Sequence, residues 1–170
     1  NLDSLDTSIA IDPEQFAPQG SNRSYSTVVD QNNNTYISYS KSTIESSYLN
    51  EIFVQKIDAS GQVSNQTEPI YSKSDIFSSL IVKDSYSSDE GNVIIIFEEL
   101  DASGNTTVNA LAFNSNYELI WDNSSVVLSS NGSGQNFRDA VQTNNGVFVV
   151  WEENKNDNSD IFGQHIDFEE

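Results

Sequence analysis

Three short apolar runs recur along this chain, each ending on an aromatic residue, and they restrict the fold more than any other feature. They read "NTYISYSK" (34–41), "NVIIIFEE" (92–99) and "GVFVVWEE" (146–153), with Tyr39, Phe97 and Trp151 in the same place at spacings of 58 and 54 residues. A second run follows each: "EIFVQKID" (51–58), "VNALAFNS" (108–115) and "DIFGQHID" (160–167). A shorter run precedes each, "TVVD" (27–30), "LIVKD" (80–84) and "DAVQ" (139–142), and a fourth follows in two of the units, "EPIYS" (68–72) and "SSVVLSS" (124–130).

The runs are short, rich in β-branched and aromatic residues, and bounded by Gly, Asn, Asp and Ser, which is the signature of strands. "VIIIF" is continuous rather than alternating, so both its faces should be buried. "EIFVQKID" alternates in part, as a strand nearer a sheet edge would. "DASG" at 58–61 and again at 101–104 predicts tight turns in which Gly61 and Gly104 supply a positive φ. No segment keeps a helical period. The sequence therefore predicts an all-β fold of antiparallel four-stranded meander repeats, arranged as β-propeller-like blades, with a β-sandwich as the alternative. The units fall at about 25–75, 78–132 and 137–170, in a single domain or a fragment of a larger one, with 1–24 as an N-terminal strand or arm. Three units are too few for a closed ring of four to eight blades, and the third lacks a last strand. "SIAID" at 8–12 is an unassigned strand-like stretch that could supply one, within the chain or to a neighbour.

The stretch "WEENKNDNSDIFGQHID" (151–167), with "KIDASGQV" (56–63), resembles a repeat common in large secreted bacterial proteins. That repeat runs Trp-Glu-Asp-x-Arg-x-Gly-x-x-Asp-Ile-Tyr-x-Gln-x-x-Asp-x-x-Gly. Trp151, Glu152, Asp160, Ile161, Gln164 and Asp167 match it. The first unit keeps Ile52, Gln55, Asp58 and Gly61 but has Tyr39 for the Trp; the second has Phe97 there and Ala112 for the Gln. Trp121 fits a further tryptophan of the pattern. The match is strong only over 146–167. The resemblance implies a propeller-like extracellular module without a defined chemistry.

Charge removes some functions. Twenty-six acidic against 7 basic residues leave a net charge of −19, which repels nucleic-acid phosphates and anionic lipid headgroups. Aromatic residues at 11% are too frequent for a disordered acidic chain, although apolar residues reach only 36%. With no cysteine there is neither a disulfide framework nor a thiolate metal site. The chain also lacks methionine, even at position 1, so it reads as a processed mature protein or an excised piece. No apolar run approaches the ~18 residues of a membrane span, so membrane insertion is not expected. The Ser/Asn/Thr-rich, Lys-poor composition suits an extracellular or cell-surface protein, and sequons occur at Asn22, Asn33, Asn65, Asn105, Asn123 and Asn131.

The polar stretch Glu153–Asp160 reads first as a hairpin loop, using Asn and Asp for local hydrogen bonds. Its second reading is a calcium site, since Glu153, Asn154, Asn156, Asp157, Asn158 and Asp160 offer oxygen donors at close spacing. "KDSYSSDEGN" (83–92) is a similar loop, with Asp84, Asp89 and Glu90 as donors. Acidic residues near the two ends (Asp3, Asp6, Asp12, Glu14; Asp167, Glu169, Glu170) would form a cation site only if they met. Glu98, Glu99, Glu152 and Glu153 end equivalent strands, and paired carboxylates can hydrolyse glycosides. Ser40 and Lys41 break that pattern in the first unit. His165, the only histidine, matches Lys56 in position and has no nucleophile motif beside it. Tyr25, Tyr48, Tyr71, Tyr86, Trp121 and Phe137 could stack on sugars, but large aromatics more commonly fill cores.

These features point to a non-enzymatic extracellular structural or adhesive protein. It would assemble with itself through β-strand edges, or join the rest of a larger chain, with Ca2+ assisting. A calcium-assisted carbohydrate-binding propeller module with glycan partners is one alternative; a fragment of a propeller glycoside hydrolase is another.

Overall fold

The structure, a computed structural model, describes residues 24–42, 48–65, 68–75, 77–128, 134–155 and 158–169. The segment 8–12 lies outside them, as do Asn156 and Asp157. The fold is all-β, with no helix among the described residues and hence none long and apolar enough to cross a membrane.

Three antiparallel sheets follow one another along the chain. The first holds β1 (Tyr25–Val29), β2 (Thr35–Lys41), β3 (Glu51–Ile57), β4 (Val63–Asn65) and β5 (Tyr71–Ser72). Its fourth position is shared by two short strands, β4 and β5, which pair with opposite ends of β3. So β3 lies one strand in from the edge, near it as the partial alternation suggests, and Ile52, Phe53, Val54 and Gln55 are buried in succession. The second sheet is the meander β6 (Ser79–Ser87), β7 (Val93–Leu100), β8 (Thr106–Phe113) and β9 (Val126–Val127). The third has three strands among the described residues: β10 (Gln135–Gln142), β11 (Gly146–Lys155) and β12 (Asn158–Asp167).

The sheets stack in chain order, with the second between the other two. Side chains of one strand alternate between faces, and β7 uses both. Val93, Ile95 and Phe97 join Leu80, Val82, Leu111 and Phe113 against Tyr36, Ile52, Val54 and Ile70 of the first sheet. Ile94 and Ile96 join Val108, Ala110 and Ala112 against Val147, Val149, Trp151 and Ile166 of the third. All five residues of "VIIIF" are 0% exposed, so the continuous run reports a strand covered on both faces.

Ladder register corrects one alignment. Gln55 lies opposite Ile37 and Gln164 opposite Val149, whereas the residue opposite Ile95 is Leu111. Leu111, not Ala112, therefore holds the glutamine position of the second unit. The aromatics at the strand ends do coincide. Tyr39 stacks on Phe53 at 5.9 Å, and Trp151 on Phe162 at 6.2 Å, in matching cross-strand pairs.

Five turns share one design. In each, the first residue's side-chain oxygen accepts the backbone N–H groups two and four positions on: Asp30, Asp58, Ser88, Asp101 and Asn114. The fourth residue has positive φ: Asn33, Gly61, Gly91, Gly104 and Tyr117. The side-chain oxygen thus replaces backbone partners that the tight bend removes. "DASG" is the version legible from sequence; the others hide because Ser or Asn replaces Asp, and Asn or Tyr replaces Gly.

Asp30 is the most enclosed of these carboxylates. It accepts from the Asn32 and Asn34 backbones at 2.9 Å, the Asn34 amide at 2.8 Å and the Tyr36 hydroxyl at 3.4 Å. Burial pushes its pKa up, but the Asn34 and Asn32 hydrogen bonds outweigh that and hold it below the ordinary 3.8. Burial, then the Asp30 charge, drives Tyr36 up to about 12. Asp30→Ala is expected to cost about 1.5–3 kcal/mol at neutral pH, the usual worth of hydrogen bonds to a charged group. A depressed carboxylate pKa gives stability that is present above the unfolded value and lost as pH falls through the folded one. The penalty measured by urea unfolding should therefore shrink below pH 3.8. A penalty equal at pH 7 and pH 3 would contradict this assignment.

Candidate functional site

The second and third sheets begin with strands bearing the same defect. The β6–β7 ladder slips between Val82 and Asp84, and the β10–β11 ladder between Phe137 and Asp139. Each slip is a bulge holding one extra residue, Lys83 or Arg138, and a bulge re-aims the side chain it carries. Lys83 Nζ reaches Glu98 Oε2 at 2.7 Å, and Arg138 pairs with Glu152 in the same arrangement. The glutamate in each case follows the aromatic at the end of the central strand.

The first of these glutamates also joins one sheet to the next. Glu98 Oε1 accepts the Phe137 N–H of the third sheet at 2.7 Å. At the equivalent place one sheet earlier, the Ser24 and Ser40 hydroxyls accept the Val82 N–H at 2.8 and 3.3 Å. A second repeated bond lies farther along the first strands. Ser87 Oγ donates to the Val29 carbonyl at 3.0 Å, and Gln142 Nε2 donates to the Ser87 carbonyl at 2.7 Å. The buried Gln135 accepts the Val108 N–H at 3.0 Å, and the Tyr86 hydroxyl sits 2.7 Å from both Asp84 Oδ2 and the Ala140 carbonyl. Each seam between sheets is thus apolar across its width and tied by polar groups on the first strand of the incoming sheet.

The residues considered for metal binding are distributed differently from a loop site. Asp84 lies within β6, not in a loop; its Oδ1 accepts the Ser85 N–H at 2.8 Å, which fixes the bulge. Asp89 and Glu90 lie in the turn after β6, where the Glu90 N–H bonds Ser88. Most of Glu153–Asp160 is ladder rather than loop: Glu153 opposes Asp160, Asn154 opposes Ser159, and Lys155 opposes Asn158. Strand alternation sends Glu153, Asn158 and Asp160 to one face and Asn154 to the other. Asn156 and Asp157 lie outside the described residues. Among those described, no three His, Asp or Glu side chains are grouped to hold a metal ion.

Glu98 is buried and engaged at both oxygens, while Glu152 is bound to Arg138 and Ser159. The Ser159 hydroxyl, then Arg138, holds the Glu152 carboxyl below its ordinary 4.5. Both carboxylates are thus held by the partners around them. His165 lies on the surface, 2.7 Å from Thr143 Oγ1 and 3.2 Å from Asp167. Asp167 also bonds the Asn145 amide at 2.7 Å; the acidic residues 3–14 lie outside the described residues. Of the aromatics considered for sugars, Trp121 is in a core, and Tyr71, Tyr86 and Phe137 pack against cores. Tyr25 and Tyr48 are exposed on separate elements.

Sequence reasoning missed the seam residues. The available signal was the dipeptides Lys83-Asp84 and Arg138-Asp139 in equivalent strands, each answered by a glutamate after the aromatic. No protein-family model matches this chain, and no curated protein matches it.

Proposed function

We propose that this chain is a non-enzymatic structural or adhesive protein of the cell exterior, built of propeller-like blades, that works by associating with further copies of itself. The observation carrying this reading is the third sheet. β12 is ten residues long and has no strand on its outer edge among the described residues. The equivalent strands β3 and β8 are covered by β4 and β5, and by β9. An uncovered edge offers a row of unpaired backbone groups to an incoming strand. Glu98 supports the same reading, since its carboxylate is engaged in joining the second sheet to the third. The extracellular assignment is supported by composition and by the resemblance to secreted repeats.

Sedimentation velocity over a range of protein concentrations tests this, at physiological and at about 1 M ionic strength. The sedimentation coefficient is expected to rise with concentration. It should rise more steeply in high salt, where repulsion between chains of net charge −19 is screened. One unchanging species in both salts would contradict the reading.

A further inference from the structure

Of the faces that the three sheets present, all but one are closed within a single chain. The second sheet is covered on both sides, by the first and by the third. In the first sheet Tyr36, Ile52 and Val54 face the second, so Ile37, Phe53 and Gln55 face away from it. These three are only 5%, 8% and 4% exposed, so the centre of that outer face is closed as well. In the third sheet Val147, Val149 and Trp151 point toward the second, so Phe148, Val150 and Glu152 point away. Ladder register adds Ile161, Gly163 and His165 of β12 and Val141 of β10 to this outer face. Here Ile161 is 67%, Val141 59% and Phe148 40% exposed. Among the described residues it is the one sheet face left open.

The open face has the layout of one that already holds a sheet in this molecule. By register, Phe148, Val150 and Ile161 take the places of Ile94, Ile96 and Val108, the residues with which the second sheet grips the third. The Phe148 ring lies over Gly163, where an added Cβ would come within 2.7 Å of it, so the face is flat as well as apolar. Its charge suits a meeting of like with like. Arg138 offsets one of its three acids, Asp139, Glu152 and Asp167, so the face carries little of the net charge of −19. Three strands of 8, 10 and 10 residues span roughly 30 by 14 Å. Two such faces pressed together enclose on the order of 800 Å², the scale of a weak, concentration-dependent contact.

We infer that the open face of the third sheet binds the same face of a second copy of this chain, about a two-fold axis through the middle of β11. A stacking partner of identical sequence has no other open sheet face to offer, so the contact joins like to like. Val150 lies between Phe148 and Glu152 on the outward side of β11 and meets Val150 of the other copy at the axis. Val141, Phe148 and Ile161 close around that point. The contact saturates at two copies, and the resulting pair carries two β12 edges, one from each chain. Edges that pair in their turn join such dimers into longer assemblies.

The inference rests on the reading of the chain as self-associating and names a surface that it uses. The chain has no cysteine, so a single introduced thiol reports on a single site. Val150→Cys, oxidised by dioxygen with a copper catalyst, is expected to form a disulfide-linked species of twice the 18.8 kDa of one chain. It should form roughly tenfold faster than from Val29→Cys, because residues held at a two-fold axis meet at a raised effective concentration. Val29 is the control because it is 55% exposed on the first sheet, whereas Val150 is half-buried in one chain. Adding Ile161→Glu, a change at the surface, is expected to remove the excess rate. If Val150→Cys links no faster than Val29→Cys while the unmodified chain associates in sedimentation, another surface such as the β12 edge is responsible and the inference falls alone. The same holds if Ile161→Glu leaves the linking rate unchanged. An unmodified chain that never associates overturns both the inference and the reading beneath it. Near-UV circular dichroism checks that the sheets persist. If a thiol at position 150 disturbs them, sedimentation of Ile161→Glu alone decides, and association equal to that of the unmodified chain counts against the inference.

Discussion

Ile94→Ala and Ile95→Ala are each expected to destabilise the chain by about 2–5 kcal/mol, the usual range for truncating a buried isoleucine. The two residues are neighbours whose side chains leave β7 in opposite directions. Ile94 packs in the core shared with the third sheet and Ile95 in the core shared with the first. A strand covered on one face would show one large penalty and one near zero. Here both are large, because neither face meets water. Urea unfolding of the two variants checks this, and a near-neutral result at either position would remove one of the two seams. The cavities lie in separate cores, so the double variant tests whether the sheets unfold together. A two-state transition with additive losses means that they do.

Glu98→Ala is expected to cost about 2–3 kcal/mol, which is large for a change that removes no apolar core atom. It leaves the Phe137 N–H without its acceptor and Lys83, only partly exposed, without its counter-charge. Unpaired groups of this kind carry the full desolvation penalty rather than the small net value of a hydrogen bond. The loss should be local to the joint with the third sheet: amide exchange at Phe137 accelerates in the variant, while exchange at Val82, held by Ser24 and Ser40, does not. Glu152→Ala, at the free end of the stack, should change the stability of the single chain little. Equal losses at Glu98 and Glu152 would mean that the glutamates act within their own sheets and not between them.

What the sequence disclosed follows from which forces act locally. A strand buried on both faces must be apolar at every position, so "VIIIF" announced its surroundings directly. "DASG" did the same for two turns, because Asp and Gly each meet a requirement of the bend. Polar strands were harder. "KDSYSS" reads as a loop, since Asp and Ser fit pleated surfaces poorly. All of it up to Ser87 lies in β6, because Asp84, Tyr86 and Ser87 find partners in the bulge and in neighbouring sheets. The stretch after Trp151 likewise reads as a loop by its Asn and Asp content, while cross-strand pairing extends the ladder to Lys155 and Asn158. The exchange of Leu111 for Ala112 arose because loop lengths differ between units, and only hydrogen-bonded register fixes which residues face each other. The seams were invisible because a glutamate that ends a strand looks the same whether it meets water or the next sheet.

The most direct test of the account is negative-stain electron microscopy of the purified chain, in calcium and again in chelator. One chain of 18.8 kDa is too small to yield a particle of defined shape, so any ordered object is an assembly. The account predicts rings or filaments whose number grows with protein concentration, and dependence on calcium would give the acidic residues a role in joining copies. A featureless field in both conditions, at every concentration, would contradict it.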